Sequence, residues 1–176
     1  MAKKKATQRL KRTHAKASSK KNAIDILQED HEKMRNLLDR LQGTSVRGAK
    51  TREKVLDDIH RELEVHTAIE EELFYPAIRK AAQDREGEEM HYEFIEEHYL
   101  AGEVELPRTL DVEAGSDEFT AHAVVLKELI THHLREEEQR MFKRARKLCS
   151  NQQLVELGEQ MMARKKELMT ELKKAA

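Results

Sequence analysis

The sequence predicts an all-α protein: an antiparallel up-down four-helix bundle with an additional C-terminal helix and a disordered basic N-terminal tail. Three observations carry this. First, helix breakers are scarce, with two prolines and six glycines in 176 residues, and no stretch shows the strict alternation of a strand. Second, apolar residues recur at spacings of three and four through most of the chain. Third, one half of the pattern repeats at an offset of 67 residues: His66 onto His133, Glu70 onto Glu137, Glu71 onto Glu138, Tyr75 onto Phe142, and Asp30-His31 onto Glu97-His98. Core positions follow the same shift, Leu27 onto Phe94, Ile59 onto Leu126 and Leu63 onto Ile130. A duplicated helical hairpin explains all of these at once.

Residues 1–22 hold nine Lys or Arg and no acid, which leaves the remainder with 24 bases against 34 acids, a net −10. With little to bury, this stretch is expected to be disordered, and its charge suits solubility or non-specific contact with nucleic acid. It lacks the apolar core of a secretory signal, and nothing in the chain approaches a membrane span. Cys149 is the single cysteine, which excludes an intramolecular disulfide and fits a reducing compartment, so the cytoplasm is expected.

The first helix is expected over Ala23 to Leu41, with Ile24, Leu27, Met34, Leu37, Leu38, Leu41 and His31 on one stripe. Gly43 to Gly48 forms a turn. The second helix, Ala49 to Ala82, presents Val55, Leu56, Ile59, Leu63, His66, Ile69, Glu70 and Leu73 inward. Pro76 is expected to kink it just beyond the His-Glu pair. After a turn over Gln83 to Gly87, the third helix runs from Glu88 to Leu106, with Phe94, Ile95, His98 and Val104 inward, and stops at Pro107. The longest loop comes next, residues 108–117. The fourth helix, Asp117 to Lys147, carries Val124, Leu126, Leu129, Ile130, His133, Glu137 and Met141. Asn151 caps a fifth helix that packs Leu154, Leu157, Met161 and Met162 on the bundle. The domain division is therefore 1–22 tail, 23–148 bundle and 149–176 C-terminal helix.

Short connections make sequential helices antiparallel neighbours, so the four stripes converge on one interior. His31, His66, Glu70, His98, His133 and Glu137 all point into it. His66 and Glu70, like His133 and Glu137, lie one turn apart on one helix face, about 6 Å between Cβ atoms. Two carboxylates and four imidazoles in a Leu/Ile/Val core are costly without partners, and a pair of cations supplies them. Imidazole with carboxylate suits iron, manganese or zinc, and the lack of thiolates argues against a structural zinc site. Ferritin-like bundles use Glu-x-x-His; here the order is reversed and the spacing is four.

The run Ala23-Ile-Asp-Ile-Leu-Gln-Glu-Asp-His31, the block His66-Thr-Ala-Ile-Glu-Glu-Glu-Leu-Phe-Tyr-Pro76, Glu97-His98 and His132-His133-Leu-Arg-Glu-Glu137 resemble the hemerythrin (HHE cation-binding) family, especially its bacterial single-domain members. The resemblance spans roughly residues 23–170. It implies an oxo- or hydroxo-bridged non-haem centre of two Fe ions. The implied ligands are His31, His66, Glu70, His98, His133 and Glu137, with Glu70 and Glu137 bridging. Oxygen-carrying members have a second His on the third helix as His-x-x-x-His; here Gly102 stands four residues after His98. His60 and His91 fall off the ligand positions, and His132 points about 100° from His133. His122 is placed near the bundle end, and His14 in the tail at the surface.

The function expected is binding of oxygen or a related small ligand, a diatomic molecule or peroxide, as sensor, buffer or scavenger rather than as an enzyme. Two rival readings stand beside it. One is a di-iron oxidase, peroxidase or iron donor for cluster repair; no acid, base or nucleophile outside the ligand set supports it. The other is a helical module acting on nucleic acid through its basic tail.

Overall fold

The computed structural model describes residues 20–175. The expected tail therefore lies outside the described residues up to Ser19, as does His14. Among the described residues, five long helices succeed one another, with a single 3-10 turn at Val46–Gly48 between the first two. Helix α1 is Ala23–Gln42. Helix α2 runs through Ala49–Ile69, Glu70–Phe74 and Tyr75–Ala82, and α3 through Arg85–His98, Tyr99–Glu105 and Leu106–Asp111. Helix α4 comprises Asp117–Glu136, Glu137–Met141 and Phe142–Leu148, and α5 is Asn151–Ala175. Helices α1 to α4 form the antiparallel bundle, and α5 packs along α1 and α2.

Local chemistry sets the helix starts. Asn22 opens α1 with a reciprocal capping box: its Oδ1 accepts from the N–H groups of Ile24 and Asp25, and its own N–H donates to Asp25 Oδ2. Asp84 and Ser116 cap α3 and α4 by accepting from Gly87 and Phe119. Helix α5 is capped by Ser150, one residue before the Asn151 expected: Ser150 and Gln153 exchange side-chain-to-backbone bonds at 2.8 and 3.2 Å. Gly158 lets α5 approach α1 closely, since a Cβ there would lie 2.8 Å from the backbone nitrogen of Ala23.

The middle segment of α2, of α3 and of α4 is π-helical, with i→i−5 bonds from Tyr75 to Glu70, Leu106 to Ala101 and Phe142 to Glu137. Two of these turns, Glu70–Phe74 and Glu137–Met141, coincide under the 67-residue shift. Only the first precedes a proline, so the distortion belongs to the repeated motif rather than to Pro76. The departure from regular α-helix therefore begins at Glu70 itself. The extra residue rotates the succeeding turn of the helix, so Phe74 and Tyr75 are fully buried while Leu73, expected inward, is half-buried.

Helix α3 also departs from expectation. It begins at Arg85 and passes through Pro107 to Asp111, leaving only 112–116 as loop. The π-helical turn Tyr99–Glu105 widens the backbone ahead of Pro107, so its ring and missing N–H are accommodated without ending the helix. On α4, Val124 is exposed because Phe119, Leu126 and Ile130 occupy the inward face, which lies nearly opposite it. Met162 is likewise exposed, one residue around from buried Met161. Ile95 and Val104 are half-buried.

The core divides into two apolar clusters. One holds Met34, Leu38, Leu56, Ile59, Leu63, Phe119, Leu126 and Ile130; the other holds Leu27, Ile69, Phe74, Phe94, Met141, Phe142, Leu154 and Met161. Every inward His lies between a residue of the first and a residue of the second: Leu27-His31-Met34 on α1, Leu63-His66-Ile69 on α2, Phe94-His98-Ala101 on α3 and Ile130-His133-Met141 on α4. The bundle is thus apolar, polar, apolar along its axis. At the far end of the first cluster, buried Arg52 bonds Thr44 and the Ala114 carbonyl and lies over the Phe119 ring, tying the 43–48 turn to the 112–116 loop.

Candidate metal centre

All six of the expected residues meet in the polar layer, and all are buried. Potential ligand atoms of His31, His66, Glu70 and Glu137 lie within 4.8 Å of one another, and so do those of Glu70, His98 and His133. Glu70 belongs to both groups. Its Oε2 is 3.2 Å from His66 Nε2 and 3.2 Å from His98 Nε2. Glu137 Oε2 lies 3.0 Å from His31 Nε2, and the Nε2 atoms of His98 and His133 are 3.0 Å apart.

Carboxylates stand behind the imidazoles. Glu138 faces His31 Nδ1 at 2.9 Å, Glu71 faces His98 Nδ1 at 2.8 Å, and Glu97 faces His133 Nδ1 at 2.8 Å. Asp30 stands behind His66 Nδ1 at 3.9 Å. A proton on Nδ1 held by a carboxylate leaves the Nε2 lone pair for the interior, the arrangement that orients histidine toward metal. A third tier lies outside these: Arg35 bonds Glu138 at 2.8 Å, and Lys165 of α5 bonds Asp30. None of these backing residues was assigned a role from sequence. The signal was present, since Asp30 with Glu97 and Glu71 with Glu138 belong to the repeat. Lys165 had no such signal, because α5 is not duplicated.

Tyr75 was also missed. Its hydroxyl lies 3.3 Å from Glu70 Oε2 and 3.3 Å from His98 Nε2, and its ring stacks on His98. The duplicated position is Phe142, which stacks on His31 and carries no hydroxyl. The remaining histidines among the described residues stay outside both groups. His60 is exposed, His91 packs against Tyr75, and His122 pairs with Glu105 at 2.7 Å. His132 is exposed, 3.5 Å from Glu97.

The protonation balance is set by burial and by neighbouring charge. Burial, then the charge of Glu137, holds the Glu70 carboxyl well above the usual carboxylate range. Burial opposes ionisation of Glu137 too, but His31 beside it, with the charges of His133 and His66, brings it down to about 2. Burial works against the His31 proton, yet Glu137 and Glu138 outweigh it and raise this imidazole. Burial lowers His98 and takes His66 down to about 4. Burial also pushes the Tyr75 phenol well above its usual range, helped by Glu137 and Glu70.

The donor set fits a cation. Seven of the nine buried side-chain atoms without a hydrogen-bond partner among the described residues lie here: Asp30 Oδ2, His31 Nε2, both His66 nitrogens, Glu70 Oε1 and both Glu137 oxygens. Buried polar atoms are normally paired, so this concentration marks a place where something else is bound.

A four-helix bundle with a polar layer of four histidines and two glutamates between apolar ends is the architecture of a cation-binding helical protein. The family model described as the hemerythrin HHE cation binding domain matches residues 22–145, and the chain belongs to that family. A crystal structure of a hemerythrin HHE cation binding domain-containing protein from Mycobacterium kansasii superposes with a TM-score of 0.73 at 26% identity, over 84% of this chain and 87% of that one. A DNA nickase of Nostoc sp. (strain PCC 7120 / SAG 25.82 / UTEX 2576) is 23% identical over 151 residues. Those residues are 86% of this chain but 41% of the nickase, so the chain spans about two fifths of that curated relative. Among the described residues, no helix is long and apolar enough to cross a membrane.

Proposed function

We propose that this chain binds two iron ions in the polar layer and uses them to bind a small ligand, oxygen, peroxide or nitric oxide, as a sensor, buffer or scavenger in the cytoplasm. His31, His66, His98 and His133 are the nitrogen ligands, and Glu70 and Glu137 the bridging carboxylates. The observation that carries this is the convergence of orphaned Nε2 and carboxylate atoms, with Nδ1 of His31, His98 and His133 each held by an outer carboxylate. Bound iron would supply an open coordination position and redox change for such a ligand. The chain's part is to exclude bulk water with two apolar clusters and to set the imidazole orientations. The Tyr75 hydroxyl is placed to donate a hydrogen bond at the His98 side, beside Glu70. Mixed imidazole and carboxylate ligation also accommodates manganese or zinc; the family resemblance favours iron.

The test is elemental analysis of protein purified without chelator, together with its near-ultraviolet spectrum. Two irons per chain with charge-transfer absorption support the reading. Zinc alone, or no metal in a protein equally stable in chelator, refutes it.

A second reading has its own observation. The similarity to a DNA nickase, with nine Lys or Arg in residues 1–22, favours contact with nucleic acid through that basic run. Salt-sensitive DNA binding that disappears on deleting residues 1–19 supports it. Binding that is absent, or unchanged by the deletion, removes it.

A further inference from the structure

The two halves of the duplicated site are not equally closed. In the first half, Glu138 behind His31 is bonded by Arg35 at 2.8 Å. Under the 67-residue shift Glu138 corresponds to Glu71, and Arg35 corresponds to Gly102. No side chain stands there to cover Glu71. Its side chain is 40% exposed, and among the described residues it pairs with no basic side chain other than His98.

Here a cavity of about 440 Å3 opens between α2 and α3 and reaches His98 and Glu71. Leu63 and Glu64 line it from α2; Tyr99, Gly102 and Glu103 line it from the π-helical turn of α3. That turn has no counterpart in α1, which is regular α-helix throughout. Two features of α3 thus open the same place: a wider backbone turn, and a glycine where α1 has arginine. A Cβ on Gly102 would sit 3.9 Å from Leu63 Cδ2, an ordinary contact, so packing does not require glycine here. An interior helical glycine also costs about 1 kcal/mol relative to alanine.

We propose that this cavity is the entry and docking chamber for the site's small ligand, that the ligand reaches the centre at its His98 side, and that Gly102 keeps the chamber open. The inference rests on the metal reading above and adds the route and the ligand class. The space admits molecules well beyond diatomic size, up to a small polar organic compound. The carboxylates of Glu64, Glu71 and Glu103 favour neutral or cationic molecules and repel anions.

The experiment uses metal-loaded full-length protein, with metal content measured for every variant and imidazole above neutral pH as the probe. Association is followed by the change in near-ultraviolet and visible absorption. Gly102→Arg, which reproduces in α3 the Arg35 cover of α1, is expected to slow imidazole association at least tenfold without loss of metal. Arg35→Gly is expected to leave the rate within about twofold. Gly102→Leu plugs the chamber without new charge and serves if the arginine variant folds poorly. Glu103→Gln is expected to speed azide association several-fold while barely changing that of imidazole. Wild-type rates in both Gly102 variants at full metal content overturn the proposal, as does faster entry in Arg35→Gly alone. A wild-type chain that holds no metal overturns the metal reading instead, and this proposal falls with it.

Discussion

Chelation exposes the energetic cost of the polar layer. Of the buried atoms at the site without a hydrogen-bond partner, five face the interior where a cation would sit: His31 Nε2, His66 Nε2, Glu70 Oε1 and both Glu137 oxygens. At the low end of the penalty for an unsatisfied buried polar atom, about 1 kcal/mol each, metal-free protein loses on the order of 5 kcal/mol relative to the loaded state. For a chain of this size about 2–4 °C of Tm accompanies each kcal/mol, so chelator is expected to lower Tm by roughly 10–20 °C. Glu70→Gln sharpens the test. Without metal, burial and the charge of Glu137 favour the neutral Glu70 carboxyl, and a glutamine of the same shape is expected to replace it at little cost. With metal the variant loses the carboxylate shared by both ligand groups. The variant is therefore expected to melt well below wild type when metal is supplied, and within about 3 °C of it in chelator. Differential scanning calorimetry with and without chelator reads both numbers. A wild-type Tm that moves by less than about 5 °C on chelation would refute the reasoning.

The same geometry sets three further outcomes. Metal retention is expected to fall as pH falls, because a cation must displace protons that burial keeps on Glu70 and that Glu137 and Glu138 keep on His31. Both groups are raised above their usual values, so proton competition sets in at higher pH than for free side chains and increases as pH drops. Chelator-driven metal loss measured at stepped pH should accelerate toward acid, and a flat profile contradicts the assignment. Asp30→Ala removes the carboxylate behind His66 and strands Lys165, and is expected to weaken metal binding about 10–100-fold in a competition titration. Unchanged affinity would mean that α5 has no influence on the site. Gly158→Ala should destabilise by about 1–3 kcal/mol in urea, despite alanine's better helix propensity, because the new methyl meets the backbone of residues 21–23. A neutral or stabilising result would show that α5 shifts freely on α1.

Much of this protein was written in its pattern. The heptad-like stripes placed five helices, and the repeat identified six polar residues that the fold brings into one buried layer. Residues such as Asp30, Glu71, Glu97 and Glu138 shared that repeat, but their purpose depends on which imidazole nitrogen each one faces. That is a matter of interhelical geometry. Periodicity also misplaced Val124 and Met162, since it assumes a wider apolar face than the neighbours cover.

What the sequence alone determined was local and repetitive: helix content and the ligand spacing on each helix. Only the tertiary structure decided the rest. The π-helical turns turned Tyr75 toward Glu70 and His98, carried α3 through Pro107, and opened a chamber at Gly102. Packing of α5 brought Lys165 to Asp30 across 135 residues. Each is a contact between distant segments or a one-residue change of register. Spacing along the chain records neither, because both arise from the competition among helices for one shared interior.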